Sequence, residues 1–271
     1  MKPLHSGLAL ALFAACFACA NDGLKNNRIA FDDIRLHETY HLLQDSANPA
    51  CLIEHAFIFP ITWPDTARLA DIQNFFVTAF YGMNYDGFSP HDASLHYLNA
   101  YLDKYRQLEA DFIDDKEIAE ELPLQAWFSY FEYRRDSILY NQNNLLSFAV
   151  YMSSYAGGAH GYATTSFYSL SLNSSEHITE FNLFVKGYEY EMADLIIKEL
   201  CLQYGVDDPL RLEELGFFNV KEIFPNGNFF LNDSGITYAF NAYEIAAYVL
   251  GTIEVHIPYA DFNHLLLPNS F

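Results

Sequence analysis

The amino-acid sequence predicts an α+β fold of long antiparallel hairpins packed with a few helices. Three observations carry this. Alternating apolar and polar residues recur over runs of ten or more positions, each bounded by turn-forming residues. Helical periodicity is confined to a few separate stretches and does not alternate with single strands, which argues against βαβ units. Tyr and Phe dominate a 17% aromatic content in a chain that is 51% hydrophobic, and these residues suit half-buried strands. The same composition supports a sizeable core within 271 residues and excludes wholesale disorder.

The N-terminus reads as a targeting segment. Lys2 supplies the positive end, and residues 8–17 form an apolar run of signal length, too short to span a bilayer. The small residues and cysteines that follow resemble a bacterial lipoprotein signal, with residues 1–18 removed and Cys19 lipidated. Cys16, which follows Phe13-Ala14-Ala15, is the alternative lipidation site. Cleavage after Ala18 or Ala20, giving a free secreted product, is the other alternative. Residues 19–28 are polar and read as a tether. No later segment is long and apolar enough to cross a membrane, so membrane contact is expected through the lipid anchor alone. The expected location is the cell envelope, at the outer membrane or in the periplasm. Without Lys2 the mature chain holds 13 basic and 35 acidic residues, a formal charge of −22. That excludes nucleic acid and anionic headgroups as partners, and it suits either a basic protein partner or simple solubility. Cys51 and Cys201 remain, as a single bridge or as two buried thiols.

Residues 29–43 alternate as a first long strand, with Phe31, Asp33, Arg35 and His37 on one side. Asp45-Ser46-Ala47-Asn48-Pro49 is a turn, and residues 51–61 return to close a hairpin. Asp65 caps a helix whose apolar face is Leu69, Ile72, Phe75, Phe76, Ala79 and Phe80, and Gly82 ends it. Ser89-Pro90 starts a second helix, and its stripe continues through Leu108 and Phe112 to about Ile113. Residues 127–140 form a third long strand, turn at 141–144, and pair back along 145–155. A glycine-rich loop leads to a strand over 162–172. A helix over 190–204 is capped by Gly205, and a short helix follows over 209–215. Residues 228–231 and 236–240 flank Asn232-Asp233-Ser234-Gly235 as a hairpin. A strand over 252–257 and a helical turn over 261–266 complete the chain. The glycine loop divides two helix-bearing halves, residues 29–160 and 161–271.

That loop is the candidate binding site: Tyr155, Gly157, Gly158, His160, Gly161 and Tyr162. Its glycines permit positive φ and close backbone approach. His160 is a ligand, a general base or a donor to a bound molecule, or else it bonds its own turn. Gly157-Gly158-x-x-Gly161 lies between strands, not before a helix, and so lacks the setting for phosphate. His37-Glu38-Thr39-Tyr40-His41 spells the H-E-x-x-H of zinc peptidases, but in a strand pattern. There its histidines share a face about 13 Å apart at Cα, by the strand rise of about 3.3 Å, too far to chelate one ion. No metal site, catalytic residue or cofactor is expected.

Tyr155-Ala156-Gly157-Gly158-Ala159-His160-Gly161 resembles the Y-x-G-G-A-H-[GP] signature of an exported domain pair. That pair is shared by the lysozyme-sensing anti-sigma factor RsiV and the non-catalytic region of the peptidoglycan deacetylase PdaC, and recurs in lipoproteins. Residues 39–43 with 48–52, and 244–251 with 255–259, are similar to further parts of the pair. The resemblance implies two associated α+β parts and a ligand-binding role in the cell envelope, for a protein or a peptidoglycan-related glycan. There is no deacetylase domain and no sigma-binding segment, so neither activity carries over, and lysozyme contacts are not recognisable. The competing expectations are an envelope hydrolase using His160 with a nearby carboxylate, and a purely structural lipoprotein.

Overall fold

The computed structural model describes residues 25–118 and 123–268. The signal segment, with Cys16 and Cys19, lies outside the described residues. The fold is α+β, as the sequence predicts, with a six-stranded sheet in the order β1-β2-β3-β4-β5-β6 and a three-stranded sheet in the order β7-β8-β9.

Strands β1 (Ala30–His41) and β2 (Ala50–Thr62) form the first hairpin, antiparallel from Ala30↔Thr62 to His41↔Ala50. Period-two alternation sorts its side chains. Ile34 opposite Phe57 and Tyr40 opposite Cys51 face the helices, while Arg35 opposite Ala56 and His37 opposite Glu54 face the other way. Helix α1 (Thr66–Tyr81) starts where the Asp65 side chain accepts from the Arg68 N–H at 3.2 Å, and ends at Gly82 with φ of 98°. Helix α2 (Pro90–Arg106) starts where the Ser89 hydroxyl accepts from the Asp92 N–H. The expected continuation to Ile113 is corrected: α2 stops, and α3 (Glu109–Ile118) begins anew. The break is tertiary in origin. Glu109 accepts hydrogen bonds from the Tyr40 hydroxyl and the Leu43 N–H, which anchors the new helix to the first hairpin.

The strand expected from residue 127 begins later, as β3 (Tyr130–Gln142), because Trp127 and Phe128 belong to a short helix, α4 (Leu124–Phe128). Phe128 packs on Phe112, and its carbonyl accepts from the Tyr105 hydroxyl at 2.6 Å. Strand β2 pairs with β3 in parallel, from Cys51↔Tyr130 to Ala56↔Arg135, so α1 to α4 form a crossover and the sheet is mixed. Strand β4 (Leu145–Ala156) pairs antiparallel with β3 across Asn143-Asn144, whose φ angles of 55° and 61° make a two-residue hairpin turn. Residues 25–28, expected as part of a tether, are tied to this turn. The Asn143 N–H donates to the Lys25 carbonyl, and the Asn144 N–H donates to Asn27 Oδ1.

Strand β5 (Tyr162–Ser171) pairs with β4 from Leu145↔Ser171 to Ser154↔Tyr162. The boundary placed at residue 160 therefore falls in a hairpin loop of one sheet, since ten paired positions join the two sides. Strand β6 (Glu176–His177) forms the edge. The chain then builds α5 (Glu180–Leu183), α6 (Glu189–Tyr204), α7 (Arg211–Glu214), β7 (Phe229–Leu231), β8 (Gly235–Phe240), β9 (Ile253–Pro258) and α8 (Tyr259–Phe262). Met192, Ile196, Leu200, Leu231, Tyr238 and Phe262 lie in the core of this second unit. Among the described residues Cys51 and Cys201 are free, and they sit in separate cores.

The large sheet is covered unequally. Phe57, Phe76, Phe80 and Phe148 fill the layer between its first face and α1. On the second face, Phe167 and Ala149 of the sheet pack against Phe230 and Ala239. The Ser147 hydroxyl donates to the Leu231 carbonyl, and the Ser169 hydroxyl accepts from the Leu231 N–H. The small sheet thus covers β4 and β5 and reaches Leu139 and Tyr140 at the end of β3, and among the described residues the second face of β1, β2 and the first half of β3 is left open.

Candidate functional site

The open face is a grid whose rows follow from strand register. One row is Arg35, Ala56, Arg135 and Tyr151; the next is His37, Glu54, Tyr133 and Ser153; the third is Thr39, Leu52, Phe131 and Tyr155. The first two rows line a cavity of about 470 Å³, a size that suits a small ligand. His37 Nδ1 lies 2.9 Å from Glu54 Oε1, and Arg35 Nε lies 2.6 Å from Asp33 Oδ2. The Arg135 guanidinium sits 4.3 Å from the centroid of the Tyr151 ring. The Phe131 ring lies 5.0 Å from Tyr133 and 6.2 Å from Tyr155, so the aromatic rows are continuous.

Tyr155 joins this face to the glycine loop, because its hydroxyl donates to the Gly158 carbonyl at 2.8 Å. Gly157 has φ of 79°, and a Cβ there would stand 2.9 Å from the Trp127 carbonyl oxygen. Glycine at this position lets the loop close against the backbone of α4. His160 is exposed; its Nδ1 lies 2.9 Å from the carbonyl of Gly161 in its own turn. Its ring lies 5.0 Å from Tyr248 and 6.3 Å from Tyr243, and the Tyr248 hydroxyl donates to the Gly161 carbonyl. The loop therefore meets the second unit through two tyrosines. Tyr162 is exposed at the start of β5.

Behind the same strands lies a sealed polar cluster. Glu132 accepts from the Tyr97 hydroxyl at 2.8 Å, faces His55 Nε2 at 3.0 Å and Arg134 Nη2 at 3.3 Å. Burial pushes the Glu132 carboxyl up, but the bonds from His55 and Tyr97 and the charge of Arg134 outweigh it, and the group sits below its usual value. Burial pushes His55 down against the pull of Glu132. The pair is thus a neutral imidazole donating to a carboxylate, which fits His55 Nδ1 having no partner among the described residues. Asp136 accepts from the Ile58 N–H at 2.7 Å where β2 leaves β3, and burial raises it to about 7. His55 is fully enclosed, so this cluster holds strands and helices together and offers no nucleophile or base to solvent.

The H-E-x-x-H string lies on β1, where His37 meets Glu54 and His41 Nδ1 lies 2.9 Å from the Asn48 carbonyl. Of the residues singled out from sequence, the loop brings together Tyr155, Gly157, Gly158, His160 and Gly161. The sequence reading missed Arg135, Tyr133 and Tyr151, whose common face depends on the register between β3 and β4. It also missed Tyr243 and Tyr248, which are distant in the chain.

Residues 182–260 match a family described as "Protein of unknown function (DUF3298)". The solved structure of a member of that family from Bacteroides fragilis NCTC 9343 is 30% identical. The match covers 90% of this chain and 96% of that one, with a TM-score of 0.85. A DUF3298 family protein from Pseudomonas aeruginosa PAO1 shares the fold at 19% identity, with 91% and 98% of the two chains covered and a TM-score of 0.60. No curated protein matches.

Proposed function

The chain belongs to the DUF3298 family, and from there we propose that it is a lipid-anchored binding protein of the cell envelope whose ligand is a cell-wall glycan. The observation that carries this is the open sheet face. It presents Tyr133, Phe131 and Tyr155 in adjoining rows beside polar groups, the combination on which a sugar ring stacks while its hydroxyls find hydrogen bonds. The glycine loop stands at one end of that face, and its similarity to the exported pair in RsiV and PdaC supports an envelope setting. The anchor rests on the signal pattern before Cys19, with Cys16 as the alternative. Among the described residues no helix is long and apolar enough to cross a membrane.

A basic protein ligand is the second reading, favoured by the formal charge of −21 on the full chain. The hydrolase alternative needs a carboxylate at His160; the polar contact found there is the Gly161 carbonyl. Sedimentation with purified peptidoglycan sacculi tests the glycan reading. The protein should pellet with sacculi, and Tyr133→Ala should stay in the supernatant with an unchanged melting temperature. Wild-type protein that remains soluble beside sacculi overturns the reading. Mass spectrometry of the mature N-terminus should show a lipidated cysteine; an unmodified chain beginning at Asn21 removes the anchor.

A further inference from the structure

We infer that the glycan bound on the open face carries a carboxylate, and that Arg135 receives it. The inference rests on the glycan reading above and names the ligand class for the same face. The argument begins with the charges there. Arg35 is paired with Asp33, and His37 with Glu54. Among the described residues Arg135 has no ion pair; its contact is the Tyr151 ring at 4.3 Å. The face therefore holds one uncompensated cation, in a chain with 14 basic and 35 acidic residues.

That cation is also held in place. A guanidinium stacked on an aromatic ring keeps its edge N–H donors free, in a planar fork that matches a carboxylate. Stacking restricts the side chain before ligand arrives, which lowers the entropy lost on binding. Ala56 lies between Arg35 and Arg135 in the same row, and it is the smallest side chain there. Two strand spacings of about 4.8 Å put the two arginine Cα atoms about 10 Å apart, and Ala56 leaves a notch between them. A carboxylate entering the cavity that Arg35, Ala56, Arg135 and Tyr151 line meets the Arg135 fork, while the sugar that bears it lies along the next row, over Tyr133, which is 39% exposed.

The surrounding acids narrow the class further. Asp33 and Glu54 stand on the same face, and burial, with the charge of Glu254 of β9 beside it, raises the Tyr151 hydroxyl. Glu254 has no ion pair among the described residues, so a densely charged polyanion meets repulsion there. A largely neutral saccharide with a single carboxylate does not, and its hydroxyls can donate to Glu54.

The test is calorimetric titration of the full chain in detergent with three probes. They are the disaccharide of N-acetylglucosamine and N-acetylmuramic acid, the same disaccharide with its carboxyl reduced to the alcohol, and di-N-acetylchitobiose. The expected result is at least tenfold tighter binding of the carboxylated disaccharide, and a factor of ten is about 1.4 kcal/mol. Arg135→Gln should abolish that preference and leave the two neutral probes unchanged. Arg135→Lys, which keeps charge without the fork, should restore part of it. Arg135 is exposed, so the variants fold, and an unchanged melting temperature verifies this. Equal binding of all three probes, unaffected by Arg135→Gln, overturns the carboxylate inference and leaves the glycan reading standing. Binding of none of them by the wild type overturns both.

Discussion

Replacing Glu132 by glutamine keeps the shape of the sealed cluster and removes its one negative charge. The Arg134 guanidinium then remains inside without a counter-ion, at 11% side-chain exposure, beside a residue that is 6% exposed. Removing one partner of a buried pair costs about 3–5 kcal/mol, because the surviving charge is left uncompensated. Glutamine also keeps one acceptor for the groups of Tyr97 and His55 and turns an amide donor toward the others, so it adds a polar conflict. With a urea dependence of about 2–3 kcal/mol per molar, the unfolding midpoint should fall by about 1–2.5 M. Arg134→Met tests the cause. Exchanging a whole buried pair for apolar groups is often neutral, so Glu132→Gln/Arg134→Met should be more stable than Glu132→Gln alone. The pH dependence has a definite sign. The folded pKa of Glu132 lies below its unfolded value, so its contribution is complete above the unfolded pKa and is lost as pH falls through the folded one. Wild type should therefore lose stability in acid more steeply than Glu132→Gln. A single-variant loss under about 1 kcal/mol, or a double variant that loses the sum of both single effects, would refute the reasoning.

Gly157→Ala should lower stability more than Gly158→Ala in the same denaturation assay. Both glycines have positive φ, 79° and 100°, and share a cost of about 1–2 kcal/mol, but only at Gly157 would the new Cβ meet backbone, 2.9 Å from the Trp127 carbonyl. Equal losses would show that the loop does not press on that carbonyl. Asp136→Asn should gain on wild type as pH rises from 5 to 8, read from urea midpoints at each pH. Burial raises the folded Asp136 to about 7, so its protonated form stabilises wild type below the unfolded pKa, and that contribution is lost as pH rises through the folded one. A gap between the two proteins that does not change with pH would contradict this.

Several elements were legible in the sequence because their causes are local. Asp65 and Ser89 cap helices with their own side chains, Gly205 closes α6 with φ of 66°, and Asn143-Asn144 turns a hairpin through residues that tolerate positive φ. The glycine loop was legible for the same reason. Where the reading failed, the cause was distant. The stripe of α2 runs without interruption into α3, and the helix is broken by bonds from Glu109 to a hairpin nearly seventy residues earlier. Trp127 and Phe128 suit a strand or a turn of helix equally, and the contact with Phe112 decides between them.

The sequence by itself therefore determined most of the long strands, where the tightest turns fall, and that a histidine-bearing glycine loop stands between two long strands. Only the tertiary structure decided that β2 runs parallel to β3 and that the strands on either side of residue 160 pair in one sheet. It alone shows that Arg135, Tyr133 and Tyr151 share a face the second unit leaves open. The physical reason is that alternation assigns each side chain to one of two faces without saying which strand lies alongside. Neighbours across a sheet are set by register and by what covers each face, and both depend on groups far apart in the chain.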